Sequence, residues 1–228
     1  MKLCELKPKG MSRMNTELAI YGYMDTIIES VTNNQVTVLT ADTGTGKSTQ
    51  VPQYLHSKDF RVIVTEPRRV SAITLANRVR EEMGEAGTVV GYHTGFESDY
   101  NSKTEILFCT DGLQLVKTLK SRNEFEDGEV VLVIDEIHEW NLNVEVLLAW
   151  AKREIESGSK MKIVIMSATM DAEAISEYFM TSVNVIHIVG KTFEVTWFHE
   201  PRIFPINTKQ HALKQTAAGC CLKKILNL

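Results

Sequence analysis

The stretch Ala-Asp-Thr-Gly-Thr-Gly-Lys-Ser at residues 41–48 directly follows an apolar run and precedes a segment with helical spacing. Its glycines, Gly44 and Gly46, let the backbone curl until successive N–H groups point inward at an anion. Lys47 adds a cation, the hydroxyl of Ser48 can hold Mg²⁺, and the positive end of the following helix dipole faces the same point. The sequence therefore predicts a phosphate-binding loop, with an ordinary glycine-rich turn as the alternative. The binding residues are expected to be Thr43, Gly44, Thr45, Gly46, Lys47, Ser48 and Thr49.

A second stretch, Val-Val-Leu-Val-Ile-Asp-Glu-Ile-His at residues 130–138, places acidic residues directly after five consecutive apolar ones. Such a run predicts a strand buried on both faces, and open α/β sheets bind their ligands beyond the carboxyl ends of the strands. Because Mg²⁺ prefers carboxylate oxygen, Asp135 is expected to hold the ion through a water, opposite Ser48. Glu136 is then placed to orient and deprotonate an attacking water. The alternative is a solvated acidic turn after a core strand.

The apolar pattern alternates between short runs rich in β-branched or aromatic residues and longer segments with helical spacing. Runs at 36–39, 61–64, 89–92, 105–108, 130–134, 162–165 and 185–189 predict strands, and segments at 14–31, 48–56, 71–83, 143–156 and 172–178 predict helices. This alternation is typical of a mostly parallel sheet with helices on both faces. The predicted fold class is therefore α/β.

The composition of the 228-residue chain favours an enzyme domain over a protein that coats nucleic acid. Lys and Arg total 25 against 29 Asp and Glu, so nucleic-acid binding would depend on local clusters of basic residues. The four cysteines (Cys4, Cys109, Cys220 and Cys221) lack the paired spacing of a structural metal site, and no stretch is long and apolar enough to span a membrane. We expect an intracellular protein, cytoplasmic or nuclear, with no membrane partner and no structural metal.

Five segments together resemble the DEAH-box (DExH) helicases of superfamily 2, in the order and spacing of that family. The matching segments are Gly-Thr-Gly-Lys-Ser-Thr-Gln-Val-Pro-Gln at 44–53, Thr-Glu-Pro-Arg-Arg-Val at 65–70, Cys-Thr-Asp-Gly-Leu-Gln-Leu at 109–115, Asp-Glu-Ile-His at 135–138 and Ser-Ala-Thr at 167–169. The resemblance extends from about residue 18 to about residue 199. It implies a P-loop NTPase domain of RecA-like fold that uses ATP and Mg²⁺.

The resemblance also implies where nucleic acid binds. In the family, the segments that correspond to residues 65–70 and 109–115 hold the nucleic-acid backbone. The expected contacts are therefore Arg68, Arg69, Thr110 and Asp111. Guanidinium groups suit this task because they bind phosphate in a fork geometry. The alternative is that the arginines pair internally with Glu66 or with a neighbouring carboxylate, and for Arg68 the two interpretations have equal weight.

Two further roles follow from the resemblance. Arg78 corresponds by spacing to the arginine that stacks on the nucleotide base in the family. Because stacking distinguishes poorly among bases, we expect weak discrimination between ATP and other nucleoside triphosphates. An i,i+4 ion pair with Glu82 on a helix surface is the competing interpretation of Arg78. His138 is expected to hydrogen-bond toward Ser167 or Thr169 and so to couple the nucleotide state to domain motion, with a simply satisfied polar residue as the alternative.

Some positions depart from the family pattern. Gly95 and Trp140 stand where the family usually has arginine, which puts one nucleic-acid contact in doubt and removes a charge near the acidic motif. The arginine-rich motif of a second RecA-like domain is not found in residues 201–228. We expect an irregular extension at 1–13, a RecA-like ATP-binding domain at 14–200 and a truncated or divergent tail at 201–228.

Two functions are compatible with these observations. The first is an ATP-dependent helicase motor domain that binds single-stranded RNA or DNA, with RNA favoured only by family habit. In this function Lys47 and Mg²⁺ neutralise charge on the phosphates, and a second RecA-like domain, in cis or in trans, supplies arginines worth about 10³–10⁵ in rate. The isolated chain is then expected to be weakly active or inactive. The second is a nucleotide-responsive module that binds nucleic acid or protein without unwinding.

Overall fold

The computed structural model describes residues 18–120, 125, 129–168, 172–179 and 183–190. Its strands are β1 (Val36–Ala41), β2 (Arg61–Glu66), β3 (Val90–His93), β4 (Ser98–Asp99), β5 (Ile106–Thr110), β6 (Val130–Ile134), β7 (Lys162–Ser167) and β8 (Val183–Ile188). Its helices are α1 (Met24–Asn33), α2 (Lys47–His56), α3 (Arg69–Met83), α4 (Asp111–Lys120), α5 (Leu142–Glu156) and α6 (Ala172–Phe179), with 3₁₀ helices at Ala19–Tyr23 and Gly84–Val89. None of the helices within these ranges is both long and apolar enough to cross a bilayer.

The described strands form one eight-stranded sheet in the order β4-β3-β5-β2-β6-β7-β1-β8. Neighbouring strands pair in parallel, except for the short antiparallel pair of β3 and β4 at one edge. The predicted mostly parallel α/β fold is therefore confirmed. Parallel pairing brings the carboxyl ends of the strands to one edge of the sheet, and the five segments that resemble the helicase family each begin within three residues of such an end.

The core consists of two apolar clusters, one on each face of the sheet. The first includes Ile27 of α1, Val51 of α2 and Val79 of α3, whereas the second includes Leu147 of α5 and Ile175 of α6. All five residues of β6 are buried, and they alternate between the two clusters along the strand. Because both faces of β6 are covered, an unbroken apolar run is the pattern that this position requires.

The helix predicted for residues 14–31 is divided in the structure. Residues 14–17 lie outside the described ranges, and the remainder forms the 3₁₀ helix Ala19–Tyr23 followed by α1. The side chain of Ile20 is fully buried in the first apolar cluster. A 3₁₀ turn has three residues per turn where an α-helix has 3.6, so its side chains point in different directions from those of a continuous α-helix. The prediction of one uninterrupted helix is wrong for this segment, since the shared apolar spacing does not distinguish the two helix types.

Gly87 provides a test of the packing between α3 and the 3₁₀ helix that follows it. The residue is buried, and a Cβ placed on it would collide with the backbone carbonyl of Arg80 in α3. We expect Gly87→Ala to lower the free energy of unfolding by about 1–3 kcal/mol, the usual cost of overpacking a rigid site. Gly95→Ala is the matched control, because a Cβ there meets open space. Denaturant unfolding followed by tryptophan fluorescence measures both, and an equal change in the two variants would contradict the packing argument.

Candidate functional site

The loop between β1 and α2 has the conformation that its glycines were expected to permit. Gly44 and Gly46 both adopt positive φ angles, of 83° and 93°, which disfavour any residue with a Cβ. At Gly46 a Cβ would also lie 2.8 Å from Cδ1 of Leu18, so that this side chain would have to shift. The hydroxyl of Thr45 donates to the carbonyl of Asp42 at 2.9 Å and fixes the loop from inside. The backbone therefore curls around the position just before the first turn of α2.

Lys47 and Glu136 meet at this loop although they are far apart in sequence. Lys47 is buried, and its Nζ lies 3.7 Å from Oε1 of Glu136. This distance is longer than that of a charge-assisted hydrogen bond, so the ammonium group is held loosely. Glu136 has a φ of 51°, an uncommon value for a residue with a side chain, and backbone strain of this kind is concentrated at functional sites. The two predicted catalytic residues thus lie together at the carboxyl edge of the sheet.

Asp135 is an almost fully buried acidic residue of the site. It is 1% exposed; its Oδ1 accepts a hydrogen bond from the backbone N–H of Glu136 at 2.8 Å, whereas Oδ2 is buried without a hydrogen-bond partner. Burial raises the pKa of Asp135, and the nearby hydroxyl of Ser48 opposes the rise by stabilising the charged form. The structure therefore brings together the two residues predicted to hold Mg²⁺.

Glu66 is a third acidic residue of the site, and the sequence analysis considered it only as a partner for arginine. It ends β2, which pairs in parallel with β6, so its side chain lies beside Asp135. Glu66 is 1% exposed and its Oε1 has no hydrogen-bond partner. Burial and, next, the adjacent Asp135 raise the pKa of Glu66 to about 10. The sequence does contain a signal for this proximity: Glu66 and Asp135 each follow an apolar run that predicts a parallel strand, and such strands end at the same edge of the sheet.

The other two residues of the loop and the predicted coupling residues lie around this centre. Thr43 is exposed, and Thr49 Oγ1 donates to the carbonyl of Gly46 at 3.2 Å. His138 Nδ1 lies 3.2 Å from Oε2 of Glu136, within ion-pair distance. Ser167 is fully buried at the end of β7. Thr169 lies outside the described residues, so the link from His138 toward this segment stays a prediction.

The arginines expected to contact nucleic acid are both engaged within the protein. Arg68 forms a two-pronged ion pair with Glu139, with Nη2 to Oε1 at 2.7 Å and Nε to Oε2 at 3.2 Å. This is the internal pairing considered as an alternative, although the partner is Glu139 and not Glu66. The guanidinium carbon of Arg69 lies 4.3 Å from the ring centroid of Phe96. Arg68 therefore contacts the segment after β6, and Arg69 contacts the segment after β3.

Thr110 and Asp111 differ in how accessible they are. Thr110 is half-buried at the end of β5. Asp111 is buried and begins α4, and its carboxylate accepts hydrogen bonds from the backbone N–H of Gly112 and from the side-chain amides of Asn141, at 2.7 Å, and Asn143, at 3.3 Å. The carboxylate of Asp111 therefore joins α4 to the start of α5, and only its backbone remains as a candidate contact.

Arg78 forms the ion pair that was the competing interpretation of this residue. Its Nε donates to Oε1 of Glu82 at 2.7 Å. The second oxygen of the same carboxylate, Oε2, accepts from the side-chain amides of Gln50 at 2.7 Å and Gln53 at 2.9 Å. Gln50 and Gln53 belong to α2, which begins at Lys47. The sequence analysis missed this connection, and the only available signal was the i,i+3 spacing of the two glutamines, which places them on one face of the helix.

The assembled residues fit a nucleoside triphosphate with Mg²⁺. The loop holds Gly44 and Gly46 at positive φ, Lys47 supplies a buried cation, and Asp135, which has one unpartnered oxygen, lies near the hydroxyl of Ser48. Hydroxyl and carboxylate oxygens are the ligands that Mg²⁺ prefers, and the ion usually takes few of them from protein. Within the described ranges, no group of three or more His, Cys, Asp or Glu side chains is arranged to hold a metal ion alone. Phosphate oxygens and water would complete the coordination.

Comparison with known proteins gives a consistent result. The family described as DEAD/DEAH box helicase matches residues 23–178. The human probable ATP-dependent RNA helicase DHX34 is 37% identical over 194 residues, covering 84% of this chain and 17% of the relative. The Arabidopsis thaliana DExH-box ATP-dependent RNA helicase DExH2 is 35% identical over 86% of this chain and 13% of the relative, and the Drosophila ananassae probable ATP-dependent RNA helicase spindle-E is 34% identical over 84% and 14%. The chain spans less than a fifth of the length of these relatives.

The buried carboxyl groups predict an unusual dependence of stability on pH in the metal-free protein. Above the ordinary pKa of 4.5, the unfolded chain releases the proton that Glu66 retains in the native state up to a pKa of about 10. The native state then binds more protons than the unfolded state, so the free energy of unfolding falls as pH rises, by at most about 1.4 kcal/mol per pH unit for one proton. We expect Glu66→Gln to flatten this fall between about pH 6 and pH 9.

Denaturant unfolding at several pH values, with a chelator present, measures this effect. Glu156→Gln is the control, because Glu156 is an exposed residue on α5 and should leave the pH dependence unchanged. If Glu66→Gln and the parent lose stability equally as pH rises, Glu66 does not carry the proton.

Proposed function

Since the chain belongs to the DEAD/DEAH box helicase family, we propose that it is the first RecA-like motor domain of an ATP-dependent RNA helicase of DEAH type. In this proposal, residues 14–200 bind ATP with Mg²⁺ and single-stranded RNA. The observation that carries it is the convergence of Lys47, Glu136 and the half-satisfied Asp135 at the phosphate loop. Hydrolysis would be fast only when a second RecA-like domain, in cis or in trans, closes the other wall of the nucleotide cleft.

The chemistry follows from what each side chain is able to do where it lies. Lys47, held loosely by Glu136, would turn to the β- and γ-phosphates and stabilise charge there. Ser48 and Asp135 would hold Mg²⁺, which supplies further neutralisation of phosphate charge when bound. Glu136, released from the ammonium group, would orient a water and accept its proton. The positive φ of Glu136 turns its side chain away from the strand direction, which supports a role at the exposed mouth of the site.

Nucleic acid would bind along the same edge of the sheet. Arg69 lies just after β2 and Thr110 ends the neighbouring strand β5, and both would contact successive backbone groups of one nucleic-acid strand. The pair between Arg68 and Glu139 is largely exposed, and exposed pairs contribute only about 0–1 kcal/mol, so a phosphate could replace Glu139 as the partner of Arg68. RNA is proposed over DNA because the matched relatives are named RNA helicases.

A nucleotide-responsive binding module without unwinding activity is the less favoured function. The residues needed for hydrolysis, namely Lys47, Ser48, Asp135 and Glu136, are all present and lie at one edge. A module that only bound nucleotide would need Lys47, Ser48 and Asp135, but it would have no need of a second carboxylate next to the Mg²⁺ ligand to accept the proton of a water. The position of Glu136 beside Lys47 therefore supports the motor function.

Lys47→Ala tests the phosphate loop. Removing the ammonium group takes away the cation opposite the β- and γ-phosphates, so we expect ATP–Mg²⁺ binding to be lost in isothermal titration calorimetry. Lys152→Ala is the matched control, because Lys152 pairs with Glu156 on α5 and lies in a different part of the described chain. Binding by Lys47→Ala as tight as that of the parent would overturn the assignment of the loop.

Glu136→Gln and Asp135→Asn test the division of labour between the adjacent acids. In a protein that also carries a second RecA-like domain, Glu136→Gln should retain ATP–Mg²⁺ binding and lose hydrolysis by about 10²-fold or more, because an amide cannot accept the proton of the water. Asp135→Asn should instead weaken the Mg²⁺-dependent binding of ATP, because a ligand of the ion is lost. Equal turnover by Glu136→Gln and the parent would show that Glu136 is not the base.

A further inference from the structure

The pair between Arg78 and Glu82 differs from an ordinary ion pair on a helix surface. The Arg78 side chain is 56% exposed, whereas that of Glu82 is only 13% exposed. In the pair between Lys152 and Glu156, which has the same i,i+4 spacing, the acid is the more exposed partner and the two groups are 3.9 Å apart. The acid of the Arg78 pair is thus anchored inside the protein, and the arginine is the group that it presents at the surface.

The anchor of Glu82 is the helix that follows the phosphate loop. Its Oε2 accepts hydrogen bonds from the amides of Gln50 and Gln53, which are both buried in α2. Gln53 also donates to the backbone carbonyl of Thr49, and Gln50 to the hydroxyl of the same residue, which restricts both amides. Hydrogen bonds that involve a charged partner are stronger than neutral ones. The carboxylate is therefore fixed relative to the first turns of α2.

The geometry of the pair leaves the flat faces of the guanidinium free of this contact. Glu82 accepts from Nε, and an N–H bond of a guanidinium lies in the plane of the group. Stacking on an aromatic ring instead uses the face perpendicular to that plane. The ion pair and a stacked base are consequently compatible. Because the ion pair already restricts the rotation of the Arg78 side chain, less conformational entropy is lost when a base binds.

We propose that Glu82 is a positioning residue for nucleotide recognition, a role that rests on the proposed ATP binding and on the base stacking that the family resemblance implies for Arg78. Glu82 holds the guanidinium at a fixed distance from the phosphate loop, with α2 as the common support. The base and the phosphates of one nucleoside triphosphate are then bound by groups that are braced against the same helix. Glu82 therefore contributes to the base-dependent part of the affinity and leaves the phosphate-dependent part unchanged.

Two probes separate these parts, namely ATP–Mg²⁺ and inorganic tripolyphosphate–Mg²⁺, which lacks the base and the sugar. For the 228-residue chain, we expect Glu82→Ala to weaken ATP binding by roughly 3- to 30-fold, the range of a lost stacking interaction, and to leave tripolyphosphate binding unchanged. Arg78→Ala should show the same selective loss. The double variant Arg78→Ala with Glu82→Ala should lose no more than Arg78→Ala alone, because one residue acts through the other.

Three controls make the outcomes decisive. Thermal melting checks that each variant is folded, and Glu156→Ala removes the acid of the ordinary i,i+4 pair and should change neither affinity. Glu82→Gln keeps the shape and offers one acceptor oxygen in place of two, so we expect an intermediate loss of ATP affinity even if Glu82→Ala folds poorly.

Each possible result supports or overturns a distinct claim. Equal losses for ATP and tripolyphosphate would make Glu82 a merely structural support of α2 and would overturn the inference. A selective loss in Arg78→Ala without one in the Glu82 variants would also overturn it, while the proposed role of Arg78 survived. An unchanged ATP affinity in Arg78→Ala would instead refute base stacking, and the inference would fail with it.

Discussion

The parallel pairing of β6 with β2 and β7 is the constraint on which the site depends. In register, Ile134 lies opposite Thr65 on one side and Ile165 on the other, so the three strands end at nearly the same level. Whatever follows each strand is then forced into a small volume. Glu66, Asp135 and Ser167 meet there because their strands are hydrogen-bonded neighbours, although more than 30 residues separate each from the next along the chain. A slip of β6 by one residue would turn the side chain of Asp135 to the opposite face of the sheet, so the site depends on this register.

This crowding has an electrostatic cost that the fold must bear. Glu66 and Asp135 are buried side by side, each has an oxygen without a hydrogen-bond partner, and the partly exposed carboxylate of Glu136 follows directly. The pKa of Glu66 and that of Asp135 are both raised, chiefly by burial. A protein selected for stability alone would replace such a cluster with apolar side chains. A site whose polar groups lack partners in the free protein instead keeps its strongest interactions for a charged ligand.

The sequence was sufficient for the elements that depend on local patterns. The apolar runs indicated the strands because parallel strands are buried on both faces, and the phosphate loop was recognisable because Gly44 and Gly46 are required at their φ angles. Contacts between distant segments could not be predicted in this way. The partner of Arg68 is Glu139, 71 residues away, and no periodicity indicates that pairing. The proximity of Glu66 to Asp135 likewise depends on which strands are neighbours, and that order is set by the packing of helices against the sheet.

Arg78 shows why alternatives drawn from sequence can be compatible in space. An i,i+4 ion pair and a base-stacking group were treated as competing interpretations, because each assigns the guanidinium a partner. The structure gives the guanidinium a partner in its own plane, which leaves its faces free of that contact. The largely buried carboxylate of Glu82 is in turn held by α2, so in the proposed role the local pair would transmit the position of the phosphate loop to Arg78. An ion pair found in the free protein is therefore weak evidence against a function for Arg78.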